Sequence, residues 1–171
     1  MRITITKGER ADELEAVRAD GSRVTTSFPH KGPVPHDAVH FHVESALAMG
    51  NAFWGMVAAG RHPETVGAIA KAGGHASASR AAVPDEAIVQ LVQAERAVEC
   101  FEADLWSGSS TSPQTIREVV AAGCAHSHVP PLEISDEAIA NIRSSLTDLA
   151  RYWASVTRGD RLVLEWAGAT A

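Results

Sequence analysis

The sequence predicts an α+β fold, in which a small antiparallel sheet built from both chain ends packs against a bundle of helices. Two observations carry this expectation. Period-2 strand patterns occur only near the termini, in "RITIT" and "RLVLEW", the mark of half-buried strands. Between them lies a series of segments bounded by the residues that start and stop helices. No period of 20 to 50 residues repeats, which excludes a solenoid, and no internal boundary divides residues 1–171, so one domain is expected.

The elements follow in order. Ile3 and Ile5 alternate with polar neighbours as a first strand. "ELEAVRADGSRVTTSF" reads as a hairpin around Asp20-Gly21, a pair that tolerates positive φ, although Glu13 to Arg18 also suits a short helix. "FPHKGPVP" is a loop, since its prolines remove N–H donors. A helix then starts at Pro35, a residue suited to the first helical position, and is expected to run to about Gly60. "HPETVGAIAKAGG" is a second, short helix opened by Pro63 and closed by Gly73-Gly74, and "HASASRAAV" a mobile connector. A strong helix is expected from Pro84 to about Trp106, with Asp85 and Glu86 favouring its N-terminal dipole. Another follows from Pro113 through Ala122, then "GCAHSHVPPLE" as a loop. Ser135 caps a last helix to about Thr157, and Gly159-Asp160 turns into the final strand.

Composition narrows the function classes. A net charge of −6, with Arg and Lys scattered singly, repels phosphate backbones and argues against nucleic acid as a partner. The N-terminal "MRITITKGER" lacks the apolar core of a signal peptide, and the run from Phe41 to Gly60 carries His42, Glu44 and Asn51, which lipid would penalise. A soluble, cytoplasmic protein without a membrane partner is expected. Cys100 and Cys124 have no C-x-x-C spacing, so reduced thiols are the simplest reading, with a disulfide between them left open. Trp106, Trp153, Trp166 and Tyr152 are expected in the core or on a pocket wall.

The informative stretch is "VPHDAVHFHVES". At about 100° per residue, His36, Asp37, His40, Glu44 and Asn51 fall on one side of the helix. Two readings are open. Such a line is either a solvated polar face or the lining of a cleft. Against the first, Ala38 to Gly60 contains no Lys or Arg, and Leu47 and Trp54 share the line. Sheltered groups of this kind need one another, a ligand or a metal.

His36-Asp37-x-x-His40 resembles the H-E-x-x-H motif of zinc proteases, in which two imidazoles one turn apart hold the ion. Asp stands where that motif has the general-base Glu, one methylene shorter, so proteolysis is not expected. Glu44 lies eight residues beyond His36, roughly 12 Å along a helix axis. It cannot share an ion with both histidines and is better suited to orienting His40. The block Pro35-His36-Asp37-x-x-His40-Phe41-x-Val43-Glu44 also resembles a signature of small bacterial proteins of unassigned function. That resemblance implies that His36, His40 and Glu44 act together, and implies no reaction.

A third ligand must come from elsewhere. His126 and His128 would point to one side of an extended segment as an H-x-H chelate, or simply be exposed. Glu95 and Glu99 sit one turn apart on an apolar helix face, where they would meet a helix-borne histidine or metal, or pair with Arg96 or Arg143. His30, His62 and His75 lie in turns and are expected to meet solvent. No nucleophile elbow, P-loop or dinucleotide fingerprint is present.

The sequence therefore favours a small-molecule site with His36, His40, His126 and His128 as candidate metal ligands and Asp37 and Glu44 as candidate catalytic carboxylates. It would hold a divalent metal such as Zn, Mn or Fe. If catalytic, it would be a metal-dependent hydrolase or a histidine acid–base enzyme acting on a small polar molecule. The alternative is a non-enzymatic interaction or homo-oligomeric protein whose Ala- and Gly-rich "SALAMGNAFWGMVAAG" packs against a second copy.

Overall fold

In the computed structural model, residues 1–75 and 83–168 are described, and residues 76–82 of the expected connector at 75–83 lie outside them. The α+β expectation holds. Strands β1 (Arg2–Thr6), β2 (Ala11–Val17), β3 (Arg23–Pro29) and β4 (Arg161–Glu165) form one antiparallel sheet of order β3-β2-β1-β4. Register is set by the alternation. Ile3 faces Ala16 and Leu164, and Ile5 faces Leu14, which turns these side chains together onto the helices. All are buried. The segment Glu13 to Arg18 forms part of a strand and its end rather than a helix, and Gly21 takes the expected positive φ of 83° at the hairpin turn. β3 extends through Phe28 and Pro29, where a loop is expected; it is an edge strand, in which proline removes no ladder bond.

The helices are α1 (His36–Ala46), α2 (Phe53–Ala58), α3 (Pro63–Ala70), α4 (Val89–Trp106), α5 (Pro113–His126) and α6 (Asp136–Ser155). A π-helical turn, Lys71–His75, continues α3, and a 3-10 turn, Glu86–Ile88, precedes α4. Ser112 and Ser135 accept hydrogen bonds from Thr115 N and Ala138 N, capping α5 and α6. The buried stripe of α6, Ile139, Ile142, Leu146, Leu149 and Trp153, keeps a helical period. Lys7 locks α6 to the sheet by donating to the carbonyls of Trp153 and Val156 at 2.7 and 2.9 Å. None of the described helices is long and apolar enough to cross a membrane.

Three expectations are corrected. The helix from Pro35 does not reach Gly60. It stops at Ala46, Ala48 takes a left-handed φ of 50°, and the chain folds back before α2 begins. The cause is tertiary. The Glu44 carboxylate takes the N–H groups of Phe53 and Trp54, the first two residues of α2, satisfying donors that every helix start leaves open. Gly55 makes the close return feasible, because a Cβ there would lie 1.9 Å from the Gly50 carbonyl oxygen. Asn51 consequently leaves the line of His36 and bonds the start of the α4 region, through Gln90 and the Ala87 carbonyl.

The second correction is α5, which passes the expected stop and runs to His126. Gly123 serves packing rather than termination: an added Cβ would meet the Arg96 side chain at 3.1 Å. Third, Trp106 and Tyr152 are 56% and 40% exposed, whereas Trp153 and Trp166 are buried as expected. Met49, Ala52, Phe53, Trp54, Met56 and Val57 from the Ala- and Gly-rich stretch are buried within this chain. Cys100 and Cys124 are both free and buried, and burial pushes the Cys100 thiol up to about 11.

Candidate functional site

The site forms where α1 crosses α4. His36 pairs with Glu102, and His40 lies opposite Glu95. The partners run in opposite order along α1 and α4, so the two helices are antiparallel. One turn of α1 separates the two imidazoles, whose ring centres are 4.8 Å apart in an edge-to-face arrangement.

Each imidazole is held from behind by a carboxylate. His36 Nδ1 is 2.9 Å from Glu102 Oε1, and His40 Nδ1 is 2.8 Å from Glu44 Oε1. With Nδ1–H donating, Nε2 is in each ring the nitrogen left for another partner, the orientation that outer carboxylates impose on metal-binding histidines. His40 Nε2 lies 3.6 Å from Glu95 Oε1. That separation exceeds a full hydrogen bond and is close to the ~3.4 Å between neighbouring donors around a tetrahedral ion with bonds of about 2.1 Å. Ligand atoms of His36, His40 and Glu95 all lie within 4.8 Å of one another.

Glu44 is fully buried and accepts three hydrogen bonds, from His40, Phe53 N and Trp54 N. Burial pushes its carboxyl up, against the opposing pull of these donors. For His40, burial favours the neutral ring, but the charge of Glu95 and the hydrogen bond to Glu44 outweigh it and hold the pKa well above the usual histidine range. The pocket between these acids thus favours a positive charge at the His40 position. Asp37, in the first turn of α1, lines the adjoining cavity. Burial raises its carboxyl, opposed by the charges of His36, His40 and Lys31.

The cavity measures about 710 Å³ and opens between the inner sheet face and the helices. Leu14, Phe28, Phe53 and Trp153 line it together with His36, His40, Glu95 and Glu102. The cleft reading of the polar line therefore describes His36, Asp37 and His40, with Glu44 buried behind His40, and the solvated reading describes Asn51, which is exposed.

His126 and His128 do not join this group. His126 ends α5 rather than sitting in an extended segment, and its Nδ1 pairs with the Ala122 carbonyl at 2.8 Å; both rings are exposed. Glu95, rather than either of these histidines, stands with His36 and His40. Glu99 forms an ion pair with Arg96 at 3.0 Å, while Arg143 binds Asp104. Glu102 was not expected; its signal is the spacing 95, 99 and 102, which puts three carboxylates on one helix face. His62 caps α3 through Nδ1. His30 is exposed, as expected, and is also hydrogen-bonded to Asp12 Oδ1 at 2.8 Å on the sheet side of the cavity.

Two imidazoles and one carboxylate, the donor types that divalent cations use, are thus gathered beside a sizeable cavity. No family model, curated protein or solved structure gives a significant match to this chain, so the site is read from its geometry alone.

Proposed function

We propose that this chain is a metal-dependent enzyme or binding protein for a small molecule, with one divalent ion held by His36, His40 and Glu95. The observation that carries this reading is the pair of imidazoles whose Nδ1 atoms are each fixed by a carboxylate while Glu95 stands 3.6 Å from His40 Nε2. Two histidines and a carboxylate suit zinc in hydrolytic sites and ferrous iron in oxygen chemistry, and manganese accepts the same donors. Such an ion supplies Lewis acidity to whatever oxygen it holds. The chain's own residues do the rest. Glu44 and Glu102 fix the rings, and Phe53 covers one side of His40 at 5.5 Å between ring centres. Asp37, on the cavity wall, is the group we assign to exchange a proton with the bound molecule.

Metal titration of the chelator-stripped protein tests the reading. One equivalent of Zn, Mn or Fe(II) is expected to bind. His36→Ala, His40→Ala and Glu95→Gln are expected to weaken binding by more than about 100-fold, beyond the 10- to 100-fold range of changes behind the ligands. His126→Ala is expected to bind as the parent does. Stripped protein that takes up none of the three ions, or uptake that survives loss of both His36 and His40, overturns it.

A further inference from the structure

We infer that the ligand of this cavity is amphipathic, with an oxygen-donor head at the His36/His40/Glu95 centre and an apolar body lying along Leu14, Phe28 and Trp153; this rests on the metal reading above. Volume is the first reason. About 710 Å³ is far more than a polar head needs and falls in the range of sites that enclose whole drug-sized molecules. Continuity is the second. Phe53 packs against the ring of His40, so carbon surface begins beside the centre and continues to the sheet wall.

The third reason is that three charges of that wall, Asp12, Lys7 and Glu64, are already engaged. Asp12 Oδ1 is bound by His30 Nε2 and by Gly8 N at 3.0 Å. Lys7 donates to two carbonyls and stands over the Trp153 ring at 5.2 Å. Glu64 accepts from Thr26 at 2.6 Å. These three groups have partners within the protein, so beside them Leu14, Phe28 and Trp153 offer an incoming molecule carbon, while Lys31 and Lys71 belong to the exposed part of the lining. Apolar contact there adds affinity in proportion to the area covered.

Calorimetric titration of the Zn-loaded full chain with acetohydroxamate, benzohydroxamate and octanohydroxamate tests this, with octanamide as the non-chelating control and Zn uptake measured first. The two larger hydroxamates are expected to bind at least 10-fold tighter than acetohydroxamate. Octanamide is expected to bind at least 10-fold more weakly than octanohydroxamate. Phe28→Ala, a change at a half-buried side chain, should cut the advantage of octanohydroxamate at least three-fold and leave acetohydroxamate unchanged. Equal affinity for all three hydroxamates, or an advantage untouched by Phe28→Ala, overturns the inference while the metal reading stands. Octanamide matching octanohydroxamate shows that the head does not use the ion and also overturns it. Absence of Zn uptake is a different result, which removes the metal reading and this inference with it.

Discussion

Glu44 holds together the site and the core, and its replacement gives graded losses. Its two oxygens serve three donors, His40 Nδ1 at 2.8 Å, Phe53 N at 3.2 Å and Trp54 N at 2.9 Å, with no exposure to water. In Glu44→Gln one oxygen becomes an amide nitrogen, which cannot accept. Placed toward Trp54 it strands one buried donor; placed toward His40 and Phe53 it strands two, so the first orientation wins. One stranded buried donor costs about 1–3 kcal/mol, a fall of roughly 3–10 °C in Tm for a chain of this size. Glu44→Ala strands all three and adds a cavity, for about 3–5 kcal/mol or more. Thermal and urea unfolding followed by circular dichroism measure both. In Glu44→Gln the Zn, Mn or Fe(II) affinity is also expected to fall 10- to 100-fold, because His40 Nδ1 then donates to a neutral amide oxygen in place of a carboxylate and the ring becomes a less basic donor. A Glu44→Ala protein within about 0.5 kcal/mol of the parent, the size of an ordinary surface change, would refute the claim that this carboxylate organises the α1–α2 return.

The other expectations are briefer. Glu102→Gln should weaken metal binding by about 10-fold or more through His36, measured by competition with a chelating dye. Asp104 is buried and holds Arg143 through two hydrogen bonds of 2.8 and 3.0 Å; burial pushes its carboxyl up, but Arg143 and Thr111 outweigh this and hold it below the usual range. Its folded pKa is depressed, so its contribution is complete above the unfolded value of about 3.9 and is lost as pH falls below it; Asp104→Asn should cost about 3–5 kcal/mol at pH 7 and flatten the acid limb of the stability curve. Gly55→Ala forces a Cβ against the Gly50 carbonyl and should cost about 1–3 kcal/mol in urea unfolding. Cys100, with its thiol raised to about 11, should resist Ellman's reagent at pH 8 in the folded protein and react once unfolded.

The legible parts of this molecule are the local ones. Alternation in "RITIT", the Asp20-Gly21 turn and the Ser135 cap each act within a few residues, and all appear where the sequence puts them. The turn-spaced imidazoles and the role of Glu44 behind His40 were also readable from helical geometry. The break after Ala46 was not, because its cause is a carboxylate reaching donors nine and ten residues away. Gly123 misled in the same manner: glycine after an apolar run usually ends a helix, but here it makes room for Arg96. Ending α5 early released His126 and His128 as an apparent chelate, when His126 closes the helix, His128 follows its cap, and both are exposed. Glu102 meets His36 across 66 residues, a pairing that only the packing of α1 on α4 creates.

One consequence of the shared Glu44 carboxylate reaches beyond the cation itself. Relative to the neutral ring, an ion on His40 Nε2 would withdraw electron density, make Nδ1–H a better donor and draw Glu44 Oε1 more firmly into place. The same side chain clasps the amides of Phe53 and Trp54, so occupancy should be felt as slower hydrogen–deuterium exchange at the opening turn of α2. Two backbone protons that never touch the cation would then report whether it is there.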